Sequence, residues 1–196
     1  MTGFDKHPFR LVQLLLERID RPIVLEFSRY IYTPQQLFDQ RHTFQVDAAA
    51  VSAEWLQKIL LSLRDGEELA LHSRIKVDKR TLHMPMIDFV VHHWNQAIEL
   101  ELEKYLPRRI VNDLLVFRSG KSFHAYSPVL LTPSHWRVFM GRLLLINPPN
   151  CAQTVDARWI GHRLIGGFAS LRWSCNTKYY QHLPEFVKYT DRLQAK

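Results

Sequence analysis

Apolar residues at helical spacing dominate the first third of the chain. In residues 8–19 they recur every three or four positions between charged residues, which predicts an amphipathic helix. Residues 48–63 repeat an apolar side chain every four positions after Asp47, so we expect a helix that begins at this aspartate cap. Residues 23–32 mix β-branched and aromatic types and fit either a strand or a short helix. The pattern predicts a mainly helical N-terminal region at residues 1–67.

From Leu69 onward the apolar spacing changes from helical to alternating. Residues 69–77 alternate apolar and polar side chains, which is typical of a half-buried strand. Residues 77–80 predict a turn into a second strand at residues 82–91, so the two strands would form a hairpin. Asp88 would then lie near the end of the second strand.

The remainder of the chain mixes both patterns, without an internal repeat or a low-complexity segment. The patterns predict helices at 94–105 and 132–145, strands at 114–117 and 123–129, and a short helix around 184–193. Thr132 followed by Pro133 suits the start of the second of these helices. The predicted fold class is α+β, with residues 68–196 as one compact unit behind the helical N-terminal region.

Charge narrows the class of partner. The 196 residues suit one domain, and 26 Lys and Arg residues against 19 Asp and Glu residues give a net charge of +7. The sequence pI near 9.6 agrees with this balance. Such a field favours polyanionic partners at low salt.

Other features of the sequence bear on location. The N-terminus carries charges on both sides of a brief apolar run, so it lacks a signal-peptide core, and no stretch approaches the length of a membrane span. Cys151 and Cys175 have neither the spacing of a zinc site nor the density of a disulfide scaffold. We therefore expect a cytoplasmic protein without a membrane partner.

Three short segments carry candidate chemistry. They are Met86-Ile87-Asp88-Phe89-Val90, Ser119-Gly120-Lys121-Ser122-Phe123-His124-Ala125-Tyr126 and Val155-Asp156-Ala157-Arg158. Their order and spacing resemble the three active-site motifs of archaeo-eukaryotic primases and primase-polymerases. The resemblance extends over about residues 68–185. It implies a primase-like core at residues 68–196, built from a β-hairpin and a mixed sheet flanked by helices.

The second segment matches its motif best. That motif is a small residue, any residue and a histidine on a strand, often within a pattern like Ser-Gly-x-Gly-x-His-x-Tyr. By this resemblance, Ser122 and His124 would contact the triphosphate of an incoming nucleotide, and His124 would be a catalytic residue that donates a hydrogen bond to phosphate oxygens. Arg118 and Lys121 lie close enough in sequence to add positive charge there.

The third segment resembles an apolar residue and an aspartate that precede a basic element of the form Arg-x-Pro-Gly-Ser-x-Asn-x-Lys. The chain has this series in outline, one residue shorter and without the Pro-Gly. The resemblance makes Asp156 a catalytic metal ligand. Nucleotide or template phosphates would be bound by Arg172, Asn176 and Lys178. Nucleic acid would also be contacted by Arg158 and Arg163.

Aromatic residues accompany this basic series, namely Trp159, Trp173, Tyr179 and Tyr180. Aromatic and basic side chains together can stack bases and contact the backbone of single strands. Most tryptophans in a small domain belong to its core, however. We therefore expect Trp173 to be mainly structural.

The first segment departs from its motif at one position that bears on catalysis. The motif has two acids one residue apart, because residues i and i+2 of a strand share a face and can hold two divalent ions together. Here Asp88 fits the first acid, but Val90 occupies the second position. Asp88 and Asp156 can still hold one Mg²⁺ or Mn²⁺ with the help of triphosphate oxygens. His92 shares the predicted face and is acceptable to Mn²⁺, although its place at a strand end favours a structural role.

Three interpretations stay open at this point. The first is a primase-like nucleotidyltransferase that uses nucleoside triphosphates on a DNA or RNA template. The second is a degenerate relative that binds nucleotides or nucleic acid without catalysis, within an assembly with other proteins. The third is an unrelated basic α+β domain whose motifs match by chance.

Overall fold

The structure is a computed structural model that describes residues 4–33 and 40–189. The helices in these ranges are α1 (Arg10–Arg18), α2 (Ala53–Leu61), α3 (Gln96–Tyr105), α4 (Arg108–Val111), α5 (Pro133–Leu145) and α6 (Ala157–Gly166). The strands are β1 (Ile23–Ile31), β2 (Gln40–Asp47), β3 (Glu67–Val77), β4 (Arg80–His83), β5 (Met86–Asp88), β6 (Leu115–Ser119), β7 (Ser122–Tyr126), β8 (Ser170–Arg172) and β9 (Glu185–Tyr189). This mixture confirms the predicted α+β class.

The strands form two antiparallel sheets. In the first sheet the order is β2-β1-β3-β4, and β8 also pairs with β3. The long strand β3 accommodates two partners on one side, because residues 74–77 pair with β4 and residues 70–72 pair with β8. In the second sheet the order is β5-β7-β6-β9. The chain therefore passes from the first sheet to the second between β4 and β5.

β1 and β2 correct the prediction of a mainly helical N-terminal region. β1 lies between β2 and β3 in the first sheet, and its Leu25 and Phe27 are fully buried. A strand that is buried on both faces has a short, nearly continuous run of apolar residues. The spacing of apolar residues in such a run does not distinguish a strand from a buried helix. Because β1 pairs with β3, the N-terminal strands share a sheet with the core rather than forming a separate region.

Two further predicted elements are wrong. The single strand predicted at 82–91 is divided into β4 and β5, because Pro85 lies between them and has no N–H to donate to a ladder. The helix predicted around 184–193 is the strand β9 over residues 185–189, where pairing with β6 satisfies the backbone. Residues 190–193 of that predicted helix lie outside the described residues.

Side-chain caps define where helices begin. Thr132 accepts a hydrogen bond from a backbone N–H in the first turn of α5, and Pro133 follows it, as the sequence predicts. The helix predicted at 48–63 instead begins after Ser52, whose hydroxyl caps α2. Asp47 caps a short 3-10 turn that precedes α2.

Both sheets contribute to one hydrophobic core. The fully buried aromatic side chains in it include Phe27 from the first sheet and Phe117 and Tyr126 from the second. Trp173 is also fully buried and contacts Phe27 edge-on, so the expectation of a structural role is confirmed. In residues 4–33 and 40–189, no helix combines the length and the apolar character that crossing a bilayer requires.

Candidate functional site

Asp88 and Asp156 meet at one end of the second sheet. The backbone N–H of Asp156 donates to the backbone carbonyl of Asp88 at 2.9 Å, and Phe89 and Val155 form a β-bridge beside them. Asp156 is also the cap of α6, because its Oδ1 accepts a hydrogen bond of 2.8 Å from the N–H of Trp159. A carboxylate has two oxygens and about four lone pairs, so capping leaves capacity for a further ligand.

The surroundings of Asp88 disfavour its negative charge. Burial and, second, the neighbouring negative charge of Asp156 raise the pKa of Asp88 to about 8, against the opposing effect of Arg163 and Arg172. Two carboxylates in a shielded position repel each other unless one of them holds a proton or a cation lies between them. The pair therefore fits one divalent cation, and carboxylate oxygens are the ligands that Mg²⁺ and Mn²⁺ prefer.

The described residues supply no third carboxylate at this point. They contain no group of three or more His, Cys, Asp and Glu side chains arranged to hold a metal ion. Val90, at the place of the missing acid, is half-buried, and its backbone N–H donates to the carbonyl of Thr154 at 3.1 Å. His92 binds the backbone carbonyl of Lys121 through Nδ1 at 2.9 Å. The site therefore offers two carboxylates to a metal ion rather than three.

His124 lies directly opposite Asp88 in the pairing of β7 with β5. Its Nε2 is 3.6 Å from Oδ1 of Asp88, which is too long for a hydrogen bond. Burial, together with the positive charge of Arg172, lowers the pKa of His124 well below its ordinary value, so the ring is neutral. Its buried Nδ1 has no hydrogen-bond partner among the described residues.

The acids and His124 open into a cleft of about 350 Å³ between the two sheets. Its lining includes the four arginines Arg41, Arg158, Arg163 and Arg172 and the aromatic residues Tyr30, Tyr32, Trp159, Phe168 and Tyr180. Four guanidinium groups around two carboxylates make the cleft positive overall, which favours an anionic ligand. The volume suits a small molecule such as a nucleotide.

Arg172 connects the two sheets at the floor of this cleft. It lies on β8, and its Nη2 donates to the hydroxyl of Ser119, at the end of β6, at 2.8 Å. Its Nη1 donates to the backbone carbonyl of Ser174, and its guanidinium lies 4.0 Å from the ring centre of Tyr180. Arg172 is only 4% exposed, so most of its surface is in contact with the protein.

The other predicted site residues are not among those that line the cleft. Ser122 pairs with Ser119 in the β6–β7 hairpin, Lys121 is exposed in its turn, and Arg118 lies 4.7 Å from the ring centre of Phe123. Asn176 donates through its side chain to the backbone carbonyls of Arg64 and Glu67. Lys178 is exposed, 5.4 Å from the ring centre of Tyr179. Asn176 thus has a structural role, and the other four lie on the surrounding surface.

β1 and β2 contribute residues to the cleft that the sequence did not predict. Arg41 on β2 donates from Nη1 to the hydroxyl of Ser28 at 2.9 Å. Ser28 also bonds Nε2 of the buried His72, whose Nδ1 bonds Glu26 at 2.7 Å. This buried chain fixes the direction of Arg41. Only the β1–β2 and β1–β3 pairings bring these residues together, so no local sequence pattern predicts that they are neighbours.

A two-sheet α+β core with an acid pair, a neutral histidine and a basic cleft is thus defined by the structure. A family model described as archaeo-eukaryotic primase 1D-like matches residues 47–185. This match spans more than half of the chain, so the chain belongs to that archaeo-eukaryotic primase-like family. It has no significant match among curated proteins or among solved structures. The family match begins at the last residue of β2, so β1 and nearly all of β2 lie outside it.

Proposed function

We propose that the cleft binds a nucleoside triphosphate together with one Mg²⁺ or Mn²⁺, and that the chain transfers the nucleotide to a nucleic-acid strand on a DNA or RNA template. The 3′-hydroxyl oxygen of the strand would form a bond to the α-phosphorus, the bond between the α- and β-phosphates would break, and pyrophosphate and the hydroxyl proton would leave. The single observation that carries this proposal is the pairing of Asp88 with Asp156 inside a cleft lined by arginines. A divalent cation allows both carboxylates to be charged, and an arginine-lined wall favours an anion. A metal–triphosphate complex supplies both.

Five residues of the cleft have a defined role in this proposal. Asp88 and Asp156 hold the cation, which neutralises phosphate charge and polarises the phosphoryl group that is transferred. His124 donates a hydrogen bond from its neutral ring to a phosphate oxygen. Arg163 and Arg172 stabilise the negative charge that spreads over the phosphoryl oxygens during transfer.

A second candidate function follows from Val90. Two metal ions usually share three carboxylates in nucleotidyl transfer, whereas this site has two. The alternative is therefore a member of the family that binds triphosphate and nucleic acid but does not catalyse transfer, within a larger protein assembly. The two candidates share the cleft and differ only in turnover.

Incorporation of labelled nucleotide on a primed template, with Mg²⁺ or Mn²⁺, separates the candidates. Asp156→Asn is the informative variant, because asparagine caps a helix as well as aspartate does but carries no charge. Asp47→Asn is the matched control, since Asp47 is also a cap aspartate but does not line the cleft. We expect wild type and Asp47→Asn to incorporate nucleotide and Asp156→Asn to fall to background.

Equilibrium binding of triphosphate completes the test. Product formation that survives Asp156→Asn would exclude the proposed metal site. Another outcome is that wild type forms no product with either metal and yet binds triphosphate, while His124→Ala does not bind it. In that case the binding-module candidate replaces the enzyme. If wild type binds no triphosphate, both candidates fail.

A further inference from the structure

Three tyrosines from two distant parts of the chain form one cluster at the mouth of the cleft. Tyr32 directly follows β1, while Tyr179 and Tyr180 follow β8. The ring centres of Tyr32 and Tyr179 are 6.0 Å apart in an edge-to-face arrangement, and those of Tyr32 and Tyr180 are 6.3 Å apart and tilted. Both separations are within the range of direct aromatic contact. We call this group the tyrosine cluster.

The tyrosine cluster begins inside the cleft and continues outside it. Tyr32 and Tyr180 line the cleft, whereas Tyr179 is not among its lining residues. Tyr32 is 39% exposed and Tyr179 is 52% exposed, so both rings present surface to solvent. An aromatic surface that extends past the cleft is longer than a single nucleotide needs. It suits a chain of nucleotides that leaves the cleft.

Cationic side chains lie beside these rings. The Nζ of Lys178 is 5.4 Å from the ring centre of Tyr179, and the guanidinium of Arg172 is 4.0 Å from that of Tyr180. Arg41 lines the same side of the cleft and is oriented by Ser28. Proteins that bind single strands without strong sequence preference combine stacking aromatic rings with a positive path for the backbone.

We propose that the tyrosine cluster is a base-stacking site for single-stranded nucleic acid, with Lys178 and Arg41 contacting the adjacent phosphates. The proposal rests on the proposed function only in that this strand would be the template or the product. Stacking itself requires neither the metal nor the acid pair. Tyr32 and Arg41 lie before the residues matched by the family model, whereas Tyr179, Tyr180 and Lys178 lie within them.

Binding of a labelled oligothymidylate tests the site, with an abasic strand of equal length as the second ligand. The abasic strand keeps the phosphates and lacks the bases. We expect Tyr32→Leu and Tyr179→Leu each to weaken oligothymidylate binding about 5- to 150-fold and to leave abasic binding unchanged. Tyr105→Leu is the matched control, because Tyr105 also has a lysine beside its ring but does not line the cleft.

Two further measurements separate stacking from charge and from folding. Arg41→Gln should reduce the slope of log affinity against log salt by about 0.7, the value for one phosphate contact on a single strand, whereas the tyrosine variants should leave the slope unchanged. Tyr32→Phe keeps the ring and should bind oligothymidylate like wild type. An oligouridylate should behave like oligothymidylate, since stacking does not require the 2′-position.

Several results would overturn the proposal. One is that both tyrosine-to-leucine variants bind oligothymidylate as tightly as wild type does. Another is that these variants lose as much affinity for the abasic strand as for oligothymidylate. Absence of oligonucleotide binding by wild type at low salt would also overturn it. Metal-dependent triphosphate binding should survive in Tyr179→Leu, because Tyr179 does not line the cleft. If wild type fails to bind triphosphate but shows tyrosine-dependent strand binding, the proposed function falls and this site stands.

Discussion

The backbone N–H of Asp156 donates a 2.9 Å hydrogen bond to the backbone carbonyl of Asp88. This bond joins the end of β5 to the cap of α6, so the spacing of the two carboxylates is set by main-chain pairing and not only by side-chain rotamers. A site held by regular elements is positioned more closely than one held by loops. The backbone therefore holds Asp88 and Asp156 side by side without the help of a ligand.

Divalent cation should stabilise the protein through this pair. A ligand that binds only the folded state, at a free concentration of ten times its Kd, raises the free energy of unfolding by about 1.4 kcal/mol. For a chain of this size that corresponds to a rise of about 3–6 °C in Tm. We expect Mg²⁺ or Mn²⁺ to raise the Tm of wild type and of Asp47→Asn by this amount, and not that of Asp156→Asn. Thermal unfolding with and without a chelator measures it. An equal rise in all three proteins would place the cation elsewhere.

Restoring the missing acid should strengthen metal-dependent chemistry. Val90→Asp puts a carboxylate two residues after Asp88. β5 ends at Asp88, but the bridge of Phe89 with Val155 and the bond from the Val90 N–H to Thr154 continue the pairing, so positions 88 and 90 are expected to share a side. We expect this variant to reach half-maximal nucleotide incorporation at a lower Mg²⁺ concentration than wild type. Val90→Asn is the control, because asparagine has nearly the shape of aspartate and carries no charge. A Mg²⁺ dependence that is identical in both variants would argue against a metal site beside Val90.

Arg172 should be poorly replaced by lysine. Its guanidinium bonds Ser119 and Ser174 at once and lies over Tyr180, whereas an ammonium group cannot reproduce this planar arrangement. We expect Arg172→Lys to lower the free energy of unfolding by about 2–3 kcal/mol, since buried polar groups lose their partner. Denaturant unfolding measures the loss. Arg142→Lys, at an exposed arginine that bonds one backbone carbonyl, should change stability by less than about 0.5 kcal/mol.

His7 should make stability depend on pH below neutrality. Its Nδ1 accepts from the N–H of Phe9, so its Nε2 carries the proton and donates to the carbonyl of Trp173. Burial lowers the pKa of His7 from 6.5 to about 4, so the unfolded chain takes up a proton in this window and the folded chain does not. The contribution of His7 to the free energy of unfolding is thus fully present above pH 6.5. It falls by about 3 kcal/mol as the pH drops towards 4.

His7→Gln tests that assignment. Denaturant unfolding at several pH values should show a smaller loss between pH 6.5 and pH 4 in the variant than in wild type. His83 contributes to the same window, because burial also lowers its pKa to about 4, so part of the pH dependence should remain in the variant. An unchanged pH dependence in His7→Gln would show that His7 is protonated in the folded protein.

Of the helices in the described residues, α1, α2, α3 and α5 were predicted from the sequence and α4 and α6 were not, and α5 shows what made the prediction possible. Thr132 and Pro133 mark its start within a few residues of sequence, and its apolar stripe faces the core. The strand that carries His124 was predictable for a similar reason, since its apolar residues and its turn are contiguous. Pro85 was a readable signal that was missed, because a proline inside a predicted strand argues for a break.

The sequence by itself determined the order of the three motifs, the α+β class and the absence of an acid at Val90. Only the tertiary structure decided that Asp88 lies beside Asp156, that β1 and β2 are strands, and that Tyr32 and Arg41 join the cleft. Periodicity along a chain reports which side of an element is buried. It does not report which distant strand pairs with which, and here those pairings assemble the cleft.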